Sequence, residues 1–205
     1  MTDLTLQGLV LRLAALVLIA AVHGFAVAAA AVALGDPGPR HDGRLSLNPL
    51  VHLDVVGTVS GVLFALGWIR PVAVDPVSLR GGRPALALVV AAGSAATLAV
   101  AMALQAVRPL VLPLLPDAAS ATAFVLTNVV AELSVAFALV NLVPLPPLTG
   151  AHLLAMTRPT QALVDVVRRR ETAAGVVLAL VAASGVVTRA AAPLLETVAR
   201  LLFGG

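Results

Sequence analysis

Apolar residues fall in long blocks along the chain, broken by short clusters of Pro, Gly and Arg. The first block predicts a helix over residues 5–34. Within it, Leu13–Gly35 reads LAALVLIAAVHGFAVAAAAVALG, and His23 is its one titratable side chain. A run of about 18 or more apolar residues is long enough to cross a bilayer as a helix. Asp36-Pro37-Gly38-Pro39 stops the run, because Pro and Gly together punctuate a helix. Three further blocks predict helices over 51–69, 85–107 and 119–141. A last apolar run starts near Thr172 and reaches about Val187, or continues to Phe203 with a break near Pro193.

The connecting segments are polar. In residues 36–50, the RLSLN alternation reads as a small strand or hairpin at the membrane surface. Residues 70–84 and Arg108–Asp117 are Pro-punctuated, and the stretch holding Arg158 and Arg168–Arg170 reads as an amphipathic surface helix. In Asn141–Gly150, three Pro within four positions cannot continue a helix. Such irregular backbone at membrane depth must be surrounded by protein or line a cavity, so this segment reads as an irregular or re-entrant loop. Trp68 reads as an interfacial anchor. Gly57 and Gly61 form a GxxxG pair suited to close helix packing within the chain.

Composition turns this pattern into a class. Of 205 residues, 60% are hydrophobic and 11% charged, with a mean hydropathy of +1.05. Soluble domains are about a quarter charged. The chain therefore reads as an all-α polytopic membrane protein, a single domain over residues 1–205 built as a bundle of about five transmembrane helices. Its pI of 11.3 comes from Arg chemistry rather than excess charge: the net charge is only +3, which argues against nucleic-acid binding. No cysteine is present, which excludes disulfides and thiolate chemistry. The first block is too long for a signal-peptide core and lacks a basic leader. Arg without Lys, with heavy Ala and Val, suggests a bacterial protein of the cytoplasmic (inner) membrane. With five spans and a cytoplasmic N-terminus, loops 70–84 and 151–171 would lie inside. They hold seven Arg, against three in loops 36–50 and 108–118.

Four marks taken in order carry a family resemblance. They are His23-Gly24-Phe25-Ala26-Val27 in the first helix, the segment Gly43–Asp54 with Asn48, Pro49, His52 and Asp54, the segment Gly67–Pro76, and the Pro-rich run Asn141–Gly150. In this order and spacing the chain resembles the site-2 protease family of intramembrane zinc metalloproteases, in the small bacterial branch that lacks a PDZ domain. The resemblance implies a site-2-protease-like core over roughly residues 10–155. It also implies that Asn48, Pro49, His52, Asp54, Asn141, Pro144, Pro147 and Gly150 belong to the framework.

In that family the first helix carries HExxH, two His one turn apart that bind zinc and a Glu that activates the bound water. Carried over, the first His is His23, the Glu position is Gly24 and the second His position is Val27. The third ligand, an Asp in the family, is Thr149, followed by the retained Gly150. The next helix of the family carries AGPxxN, which reads here Ala92-Gly93-Ser94-Ala95-Ala96-Thr97. Catalytic zinc needs three protein ligands and an open position. The expectation is therefore a pseudoprotease: not an enzyme, with no cofactor and with zinc lost. It would act as a membrane binding, scaffold or accessory subunit in a larger complex. Its partners would be the lipid bilayer and another transmembrane protein, or a second copy of the chain. The alternative is an active intramembrane zinc metallopeptidase with displaced ligands, for instance His23, His52 and His152. A small transporter or lipid-binding protein ranks last. Glu132, inside the fourth block, should not face lipid. It reads as a bundle acid that is protonated or paired with Arg or Asn, or as a proton or partner contact.

Overall fold

The computed structural model describes residues 5–157 and 171–203. Its frame is three long helices. The first, α1 (Leu6–Ala33), starts where Thr5 caps it by accepting from Gly8 N at 3.1 Å. Two short helices follow, α2 (Gly38–His41) and α3 (Val55–Phe64). Next come α4 (Leu86–Val111) and α5 (Asp117–Val140), then α6 (Glu171–Ala183) and α7 (Val186–Phe203). Among the described residues there is no strand beyond one antiparallel bridge between Leu53 and Ile69. The protein is an all-α polytopic membrane protein.

Among the described residues the candidate spans number three or four, against about five expected. Three helical stretches there are long and apolar enough to cross: Leu6–Ala33, Arg83–Leu114 and Asp117–Val140. The last two helices make a fourth only if counted as one span, and they bend by 75°. That break lies at Ser184-Gly185, where Gly185 takes φ +69°, and not at Pro193, which sits inside α7. Likewise, Pro109 does not end α4, which runs on to Val111. The RLSLN segment forms no strand. The stretch expected as a surface helix, with Arg158 and Arg168–Arg170, lies outside the described residues.

The largest correction concerns residues 51–69, expected as one transmembrane helix. Only Val55–Phe64 is helical. Asp54 caps its start through Gly57 N at 2.7 Å, and Ala65 ends it in the left-handed region at φ 60°. The chain then doubles back. A Cβ on Gly57 would lie 2.5 Å from Trp68 O, and one on Gly61 would lie 3.2 Å from the Cα of Gly67. The GxxxG pair thus serves packing within the chain, letting the returning backbone lie directly on α3. Trp68 is buried in that return, 2% exposed, and is no interfacial anchor.

The levels of these contacts show that residues 34–85 leave and rejoin α1 at the same end. Going down, His52 packs on Gly24, Gly61 faces Leu16, and Arg12 Nη1 donates to Val62 O at 3.0 Å. Coming back, Arg70 N donates to His52 O at 2.8 Å, Asp75 N to Asp36 Oδ2 at 2.8 Å, and Arg80 N to Leu34 O at 2.6 Å. Loops 36–50 and 70–84 therefore stand together, not on opposite faces of the membrane as the five-span count requires. Non-helical backbone at this depth must be satisfied by protein. Buried Arg44 does so by donating to the carbonyls of Val51, Arg70 (3.3 Å) and Pro71 (2.7 Å).

The core lies where α1, α4 and α5 meet, and includes Leu16, Ile19, Val27, Leu86, Val89, Val130, Leu133 and Phe137. Lipid tails are as apolar as these side chains, so helix association in a bilayer rests on packing and interhelical hydrogen bonds. α4 and α5 run antiparallel, tied by Ser94 Oγ to Ala138 O at 3.0 Å and Gln105 Nε2 to Thr127 O at 2.9 Å. Nearer the turn between them, Arg108 Nη1 donates to Asn128 Oδ1 at 2.6 Å and stacks 4.7 Å over the Phe124 ring.

Candidate functional site

His23 lies on α1 in the middle of this packing, fully buried. Its ring stands edge-on to Phe137, with centroids 5.2 Å apart. α4 reaches it because residue 93 is glycine: a Cβ there would lie 2.7 Å from Val27 Cγ2 and 2.8 Å from His23 Cε1. One turn along α4, Thr97 Oγ1 stands 3.3 Å from His23 Nδ1 and donates its own proton to Gly93 O at 2.9 Å. His23 Nε2 is hydrogen-bonded to Thr149 Oγ1 at 3.0 Å, and the same hydroxyl reaches Asn141 Oδ1 at 3.5 Å.

Thr149 reaches this position because α5 ends one turn short of it. Asn141 closes α5 and is fully buried. Its Nδ2 donates to Phe137 O at 2.9 Å and to Gly67 O at 3.1 Å, and its Oδ1 accepts from Thr149 N at 3.4 Å. One side chain thus ties the end of α5 to the returning loop and to the start of the 3₁₀ segment Thr149–Thr157. Gly150 permits the turn, since a Cβ there would lie 2.2 Å from Val143 O. Pro144 and Pro147 lie in the turn between Asn141 and Thr149, and Pro147 Cγ stands 3.6 Å from where a Cβ on Gly175 of α6 would be.

Of the four positions expected from HExxH and its partner loop, His23 and Thr149 are in contact. Val27 shares the face of His23 one turn on, packs on Gly93 and is buried. Gly24 faces the ring of His52: a Cβ on Gly24 would lie 2.2 Å from Nδ1 and 2.5 Å from Cγ. His52 cannot simply swing aside, because its Nε2 bonds to Ser46 O at 2.8 Å and the whole residue is buried. Its Nδ1 is buried without a partner. Asn48 and Pro49 begin the 3₁₀ turn leading into His52, with Asn48 Oδ1 accepting from Leu50 N at 3.0 Å.

A tetrahedral zinc site takes three ligands drawn from Cys, His and carboxylate. The polar groups on His23 are two threonine hydroxyls, and no group of three His, Cys, Asp or Glu gathers anywhere among the described residues. The trio His23, His52 and His152 is not assembled. The residues present do not fit zinc. Two open clefts lie elsewhere. One of about 360 Å³ is lined by Asp36, Gly38 and Asp75, the other of about 150 Å³ by Asp54, Trp68, Arg70 and Pro147; His23 lines neither. Near the first, Asp75 is held below the usual carboxylate range by the Ser78 hydroxyl and the Val77 N–H.

Sequence reasoning names Thr97 as the end of the altered AGPxxN pattern and His52 as framework, but gives neither its contact here. Thr97 falls one turn after Gly93 on the face that meets α1. Arg44 is given no role, because only the folding back of residues 34–85 brings its carbonyl partners to it.

The chain is similar to a protein named for zinc proteolysis. Over 138 residues it is 33% identical to "Putative zinc metalloprotease YwhC" of Bacillus subtilis (strain 168). The aligned part makes up 65% of this chain and 62% of that relative, so the chain spans less than two thirds of the relative's length. The likeness supports a site-2-protease-like relationship. No family model matches the chain, and no solved structure matches it.

Proposed function

We propose that the chain is a non-catalytic site-2 protease homologue. It serves as a binding or accessory subunit of a bacterial cytoplasmic-membrane complex. One observation carries this reading: Nε2 of His23, the atom a metal would take, is hydrogen-bonded to the Thr149 hydroxyl at 3.0 Å. Two further features support it. Val27 offers only methyl groups where a second imidazole would stand. The space beside Gly24, where a catalytic carboxylate would begin, holds the His52 ring. The packing that arranged these positions is kept, so the scaffold remains free to bind another transmembrane segment.

The test is one purification of the tagged chain from its native membrane in mild detergent, with elemental analysis and identification of what comes with it. The expected result is zinc far below stoichiometry and a membrane protein in fixed ratio to the chain. One zinc per chain, lost on His23→Ala, would instead establish a working metallopeptidase with displaced ligands.

A further inference from the structure

Between Val130 and Ala138, α5 is buried at every position but one: Glu132 is exposed. The expectation that it does not face outward is corrected, since its side chain is exposed. The two bonds that tie α4 to α5, Ser94–Ala138 and Gln105–Thr127, fix the level of Glu132. Interpolating between them places it beside Val100, halfway along the Arg83–Leu114 span. A lone carboxyl thus faces outward at mid-depth of a membrane bundle, where an ionisable group is costly and marks a functional contact by default.

We infer that the Glu132 face of α5 docks a transmembrane helix of another protein that carries an Arg or Lys at mid-depth. Glu132 shares this face with Ala121, Val125 and Leu139, which recur at helical spacing. Ala121 and Val125 are exposed and small enough for a partner backbone to approach closely. Charge complementarity selects the occupant. Arg108, the one cation on α4, is already committed to Asn128 and to the Phe124 ring. A second copy meeting through the same face would set Glu132 against Glu132, and two like charges cannot both ionise at close range. A basic group on the incoming helix satisfies the carboxylate and is itself satisfied. This inference rests on the reading of the chain as a binding subunit and names the chemistry of its partner.

The experiment uses the full chain in phosphatidylcholine nanodiscs, labelled through a single cysteine at position 114, where Leu114 is 82% exposed. The probe is a leucine-rich transmembrane peptide with one central Arg; its control has Leu at that place. Energy transfer reads association. The expected result is that the Arg peptide binds about tenfold tighter than the control, the scale of one good interhelical polar contact. That preference should vanish in Glu132→Leu. Because Glu132 is exposed, Glu132→Leu leaves the packed core untouched. Equal binding of both peptides overturns the inference. So does self-association without peptide that Glu132→Leu abolishes, which would assign the face to a second copy. Cleavage of the peptide and zinc content, measured on the same samples, test the non-catalytic reading separately. Zinc-dependent cleavage defeats that reading, whereas an uncleaved peptide bound without preference defeats the docking face alone.

Discussion

At the scale of single residues, the Gly24–His52 contact is the sharpest feature of the site. A Cβ on Gly24 meets a ring that is buried and tethered through Ser46. Overpacking of this kind costs about 1–3 kcal/mol. Gly24→Ala is expected to lower the melting temperature in detergent. His52→Ala, which leaves room, should relieve most of that loss, so the double-mutant cycle should show strong coupling. Val27→His alone should bind no zinc, because the third ligand position is still Thr149, which offers only a hydroxyl; elemental analysis reads this directly.

At the scale of elements, the question is how non-helical chain survives inside a helical bundle. Asn141 answers for one junction, serving the carbonyls of Gly67 and Phe137 and the N–H of Thr149. Replacing it by Leu strands buried polar groups, at a cost of about 1–3 kcal/mol. Asn141→Leu should therefore lower the melting temperature, and it should loosen the His23–Thr149 contact, read as a changed histidine ring signal in NMR. The long apolar blocks made α1, α4 and α5 legible to within a few residues, because hydropathy and length alone define a span. They misled over 51–69, where apolar residues continue while the backbone turns at Ala65. Nothing in hydropathy separates an apolar helix from an apolar return strand packed on glycines. The resemblance to HExxH and its partner loop put His23, Gly24, Val27 and Thr149 into one group; His23 and Thr149 are in contact, while Gly24 faces His52. The close approaches of Gly24 to His52 and of Gly93 to His23 depend on backbone separation, which no residue pattern encodes.

At the scale of the whole molecule, the folding back of residues 34–85 changes the orientation argument. With loops 36–50 and 70–84 at one end of α1, Arg40, Arg44, Arg70, Arg80 and Arg83 all gather there. Arg12 and Arg108 lie toward the other end. Short loops rich in Arg stay cytoplasmic. The expected orientation is therefore the reverse of that from a five-span count: the end holding residues 34–85 is cytoplasmic, and the N-terminus is outside. The absence of native cysteine makes this directly measurable. Val77 and Leu114 are 80% and 82% exposed and lie at opposite ends of the Arg83–Leu114 span. In bacterial spheroplasts, a membrane-impermeant maleimide should label Leu114→Cys at once and Val77→Cys only after permeabilisation. The opposite pattern would return the N-terminus to the cytoplasm. Labelling of both from one side would mean that α4 does not cross, and would break the three-helix frame on which the level of Glu132 depends.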